Sequence, residues 1–211
     1  MIIKNGKQDE AHEISFDGTG SRLTSTNTRD AIIEASELPA GWNTMIGHFM
    51  VEGTKSTNPI WSEIGTTTFY SYLVAVNKEA WCGFTIPHDY KVGGQIIMFI
   101  NFTTDGISTL PVRWQMDYSI TKAHNQAVGA NLFPPMQAFA ERNPPGVALQ
   151  HITAETPPLD IAKAEPDAQI HVKVTRVSTA INNQDDVFGL SISCHYETDS
   201  HSTLNRKPPY N

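Results

Sequence analysis

The chain has 211 residues, of which 39% are hydrophobic and 18% charged, enough to build one or two globular domains and below the charge of a disordered chain. A net charge of -7 argues against nucleic-acid binding as the main task, because phosphate backbones need a basic face. No run approaches the ~20 apolar residues of a membrane helix, and the start, Met1-Ile2-Ile3-Lys4-Asn5-Gly6-Lys7, has no signal-peptide apolar region, so synthesis in a cytoplasm is expected.

Residues 1–41 read as an N-terminal arm. Positions 1–26 are polar and rich in turn formers, and one short helix follows. Asn27 can cap it, Asp30 and Glu34 place negative charge in its N-terminal half, and Ala31, Ile32, Ile33, Ala35 and Leu38 form an apolar face. Pro39 and Gly41 end it. A helix this short is marginal alone, so its apolar face must pack against something.

From residue 42 to about 200 the chain reads as successive strands: 43–51, 66–76, 80–87, 94–102, 110–120, 147–154, 168–177 and 187–197. The clearest is Val112-Arg113-Trp114-Gln115-Met116-Asp117-Tyr118-Ser119, with large apolar side chains on one face and polar ones on the other. Gln95 to Phe102 is apolar on both faces, which suits a central strand or one covered at an interface. In the last strand Phe188, Leu190, Ile192, Cys194 and Tyr196 are expected to be buried. Trp114 and Trp81 are expected in the core. The predicted fold is mainly β: an antiparallel two-sheet sandwich, jelly-roll-like, with the helical arm in front and a tail at 201–211.

Residues 121–146 interrupt the rhythm with Pro134-Pro135 and Asn143-Pro144-Pro145-Gly146, and are predicted to form one long Pro-rich loop. Leu132, Phe133, Met136 and Phe139 make it too apolar for free solvent. Either it folds over its own sandwich or it reaches a neighbouring subunit.

The residues that carry chemistry form no signature. None of the eight histidines pairs at a spacing that builds a zinc site. Asp185-Asp186 lacks the alternating oxygen ligands of a calcium loop. There is no Gly-x-Ser-x-Gly elbow, and no basic neighbour activates Cys82 or Cys194, which read as buried thiols. A sugar-stacking platform would have to rest on Trp42 or Trp61. No enzyme activity, metal or cofactor is therefore expected.

Two groups of residues resemble tailed-bacteriophage virion proteins. Leu23-Thr24-Ser25-Thr26-Asn27-Thr28-Arg29-Asp30-Ala31-Ile32-Ile33-Glu34 is similar to a short segment of phage fibres and appendages, with Thr28-Arg29 where Val-Gln is commoner. Residues 80–200 resemble a phage structural β-sandwich in the order of their features: a strand ending in Pro87, Gly93-Gly94, Val112-Arg113-Trp114, Val174-x-Arg176, Asp185-Asp186 and Tyr196. The resemblance implies a bacteriophage structural protein without catalytic residues, often trimeric, made in the host cytoplasm and located in the virion. The expected role is capsid decoration (a cement protein) bridging subunits of the major capsid protein or other virion proteins, with neither nucleic acid nor membrane as partner. The alternative is a tail appendage, fibre or adaptor that binds a host glycan. Ile14, Phe16, Leu23, Ile32 and Ile33 in the arm, with Leu132, Phe133, Met136 and Phe139 in the loop, are the expected assembly contacts.

Overall fold

The computed structural model describes residues 41–121, 136–160 and 164–198. The described residues belong to the second of two units, which divide at Ala40 and Gly41. Ten strands run through them: β1 (Gly41–Gly47), β2 (Ile60–Glu63), β3 (Tyr70–Leu73), β4 (Glu79–Thr85), β5 (Ile96–Thr104), β6 (Val112–Thr121), β7 (Met136–Arg142), β8 (Ile152–Glu155), β9 (Gln169–Val177) and β10 (Val187–Thr198). They form two antiparallel sheets packed as a sandwich. One is ordered β2-β3-β10-β5-β8 with β1 also paired to β10; the other is ordered β4-β9-β6-β7. Along β10, one edge is covered by β5. The other takes β3 at Phe188–Gly189 and β1 at Ile192–Thr198.

The period-two pattern explains the core. On β6, Val112, Trp114, Met116, Tyr118 and Ile120 are buried and alternate with half-buried polar residues. Ala80, Cys82 and Phe84 of β4 and Ile170, Val172 and Val174 of β9 extend this inner face. The six-stranded sheet answers with Ile96, Met98, Ile100 and Phe102 from β5 and Ile192, Cys194 and Tyr196 from β10. The Phe102 and Trp114 rings meet across the interface, 5.7 Å between centroids. β5 is central, between β10 and β8, and on its second face Ile97 and Phe99 are also buried, while Asn101 is half-buried.

Three expectations need correction. The segment 121–146 is not one loop, because β6 reaches Thr121 and Met136–Arg142 forms β7 at the edge of the four-stranded sheet. Trp81 is 37% exposed, since Ala80 and Cys82 take the inward positions on either side of it. On β10 a bulge lies between Gly189 and Ser191, so the alternation does not run through Leu190. Val187 joins the core and Leu190 is only half-buried. Gly189 also faces inward. A Cβ there would lie 2.8 Å from the Phe49 ring, so the close approach needs glycine, and Phe188 is turned to the opposite face. The helix expected at 27–38 and the tail at 201–211 lie outside the described residues.

The outer face of the four-stranded sheet carries a polar network. Lys173 Nζ lies 3.1 Å from Asp117 and 3.6 Å from Glu79, and Asp117 Oδ1 accepts from Gln115 (3.0 Å) and Gln137 (2.9 Å). Burial alone would raise the Asp117 carboxyl, but the bonds from Gln137, Gln115 and Lys173 together hold it below its ordinary value. Burial would likewise lower Lys173, and its two carboxylates outweigh this and raise it. The Asp117 contribution to stability is thus complete above the unfolded value of about 3.9 and is lost as pH falls through the lower folded value. The Lys173 contribution is complete below about 10.4 and is lost as pH rises through the higher folded value. In urea titrations near neutrality, Asp117→Asn is expected to lose about 1 kcal/mol, and the gap to the unmodified protein should close as the carboxylate is protonated. A gap that stays constant into strong acid would show that the network contributes no charge-dependent stability.

Candidate functional site

Two surface features stand out, both on the six-stranded sheet. The first is the β2–β3 hairpin. Its register pairs Trp61 with Tyr72 and Glu63 with Tyr70, which puts Trp61, Tyr70 and Tyr72 on one face. Trp61 and Tyr70 are near-parallel, 18° apart with centroids at 6.4 Å, and Tyr72 meets Trp61 edge-on at 4.9 Å. Tyr72 rests on the core, while Ile60 (60%), Trp61 (59%), Phe69 (72%) and Tyr70 (53%) are exposed. β2 is also the end strand of its sheet among the described residues, so exposed apolar side chains and a sheet edge coincide.

The second feature is a groove on the outer face of that sheet. On β5, Ile96, Met98, Ile100 and Phe102 point into the core, so Phe99, Asn101 and Thr103 point out. Two clefts adjoin above them and share His151. The smaller, about 420 Å³, is lined by Phe69, Tyr70, Thr103, Leu149 and Leu190; the larger, about 910 Å³, by Phe99, Asn101, Arg142, Ser193 and His195. Asn101 is the hub between them. Its amide donates to Ser191 Oγ (3.0 Å), and its oxygen accepts from Thr153 Oγ1 (2.9 Å) and contacts His151 Nε2 (3.2 Å). At the far end the Phe99 and His195 rings pack at 4.1 Å.

The sequence-predicted contacts fall as follows. Ile14, Phe16, Leu23, Ile32, Ile33, Leu132 and Phe133 lie outside the described residues. Met136 and Phe139 occupy opposite faces of β7: Met136 packs on the core, while Phe139 is half-exposed with the Arg113 guanidinium 4.5 Å above its ring. Of the tryptophans considered for a platform, Trp61 is exposed and Trp42 is half-buried on β1. The groove itself escaped the sequence reading, because Phe69, Asn101 and His151 are far apart in the chain. The one local signal is Asn101, a polar residue in the otherwise apolar run from Ile96 to Phe102.

Two observations bear on metal and thiol chemistry among the described residues. Among them no cluster of three or more His, Cys, Asp or Glu side chains could hold a metal ion. Cys82 and Cys194 are buried thiols. Burial pushes Cys82 up to about 11, opposed by a hydrogen bond with the Gly83 backbone, and burial also raises Cys194 well above its ordinary value, with Cys82 nearby adding to the rise. No model of a known protein family matches this chain, and no curated protein matches it either.

Proposed function

We propose that this chain is a structural virion protein of the capsid-decoration type, which acts by binding and not by catalysis. The observation that supports the reading is the β2–β3 hairpin, where exposed Ile60, Trp61, Phe69 and Tyr70 sit at a sheet edge that is unpaired among the described residues. Patches that combine aromatic anchors with an open edge suit permanent docking on another protein. The likeness of residues 80–200 to phage sandwiches supplies the partner class: the major capsid protein or another virion protein, met by a trimer. Arm contacts through Ile14, Phe16, Leu23, Ile32 and Ile33 belong to the same proposal. The mechanism is mass action, in which a ligand that binds only the assembled shell stabilises it.

Adding purified protein to particles that lack it, and imaging them, tests this. Shell occupancy is expected for the unmodified chain. Trp61→Ala should weaken attachment by about 2 kcal/mol, roughly thirtyfold in Kd, and deletion of residues 1–40 should abolish it. Full shell occupancy by both variants would end the proposal. Attachment to the tail alone would select the alternative, a tail appendage, fibre or adaptor.

A further inference from the structure

We propose that the groove along the outer face of β5 is a binding site for a neutral oligosaccharide. The reasoning begins with what a sugar ring offers: an apolar C–H face, and a rim of uncharged hydroxyls that each donate and accept. The groove offers the complement of both. Phe69, 72% exposed, stands at one cleft with Tyr70 beside it, and at the other the half-buried His195 ring lies against Phe99, which is itself buried. Between them the side chains are hydroxyls, a carboxamide and an imidazole: Thr103, Asn101, Thr153, Ser193 and His151.

These groups are already organised. Asn101 is fixed by Ser191, Thr153 and His151, so a ligand hydroxyl meets positioned partners and little ordering entropy remains to be lost. The size is also right, since two adjoining clefts of about 420 and 910 Å³ exceed the need of one sugar ring and suit a short chain of them. Arg142 is the one Lys, Arg, Asp or Glu side chain among the described lining residues, and it lies in the larger cleft only. That charge distribution favours a neutral ligand over a polyanion, which would need several cations. The groove shares Phe69 and Tyr70 with the proposed docking patch, so the site is one of the free chain; its failure would leave the attachment proposal untouched.

The test uses the full chain on an array of neutral oligosaccharides built from hexoses and N-acetylhexosamines, followed by amide-shift mapping with the best binder. Retention of a subset is expected, with shifts centred on Asn101, His151 and Thr153. Phe69→Ala and His151→Ala, both at exposed positions, should keep the unmodified thermal stability and each lose about tenfold in affinity. The proposal is overturned if no neutral oligosaccharide is retained. Shifts that map away from the groove, or full affinity in both variants, would overturn it equally. Shift mapping on the unmodified chain decides the matter even if a variant fails to fold.

Discussion

Replacing Trp114 with alanine should cost about 3–5 kcal/mol, the loss typical of a large aromatic removed from a closed core. At about 2–4 °C per kcal/mol for a domain of this size, the melting temperature should fall by roughly 6–20 °C. Trp114 is fully buried, contacts Phe102 across the sandwich, and stands opposite Ala140 on β7 and Arg176 on β9. The small Ala140 stands where it leaves room for the indole. The indole N–H has no partner among the described residues, so the ring contributes through volume and apolar contact. Trp114→Phe keeps most of that contact and removes the unpaired donor, so it should lose only about 1–2 kcal/mol. Urea unfolding of the two variants separates the contributions. Equal losses would mean that ring volume is not what joins the sheets at this point.

Arg176→Met is expected to lose about 2–4 kcal/mol by the same measurement, because it strands two buried carbonyls. Arg176 follows Ile170, Val172 and Val174 on the inward face of β9 and is only 5% exposed. Its Nη1 donates to the Val74 carbonyl (3.0 Å) and its Nη2 to that of Asn183 (2.9 Å). Val74 follows β3 in the opposite sheet, and Asn183 lies in the connection to β10, itself tied down by its amide to Leu110 (2.8 Å). One guanidinium therefore pins three segments. Burial lowers its ordinary value and nearby Asp186 opposes this, so charge is retained where it is costly. Arg176→Lys keeps the charge but not the planar fork, and should recover only part of the loss. Because both acceptors are carbonyls, added salt should change the deficit little. A deficit that vanishes in high salt would show the residue acting through Asp186 instead.

The fold was readable where one strand face is apolar and the other polar. Val112 to Ser119 and Ile170 to Val174 alternate without interruption, and the structure follows them. Trp81 was misplaced although the same rule applied: a residue between inward Ala80 and Cys82 must point out, and side-chain size was the wrong guide. β2 has no buried residue to leave a pattern, so only its pairing with β3 defines it. β7 reads Met-Gln-Ala-Phe-Ala-Glu-Arg between proline pairs, a composition poor in β-branched residues, and its strand character comes from β6 beside it. The bulge in β10 is equally silent, because an extra residue leaves the local composition unchanged. The groove could not be read at all, since only the pairing of β5 with β8 and β10 gathers its residues.

The double pairing along one edge of β10 has a consequence for the order in which the chain folds. β10 is the last of the described strands, yet it is the spine against which β1, β3 and β5 all align. Until the ribosome has released Thr198, β1 and the β2–β3 hairpin have no sheet to join, while β4, β6, β7 and β9 can already zip together. Completion of the larger sheet is thus a late, non-local step, slow by its loop-closure entropy. Meanwhile Ile60, Trp61, Phe69 and Tyr70 wait on an unsupported hairpin, the period in which nascent chains are most open to premature association.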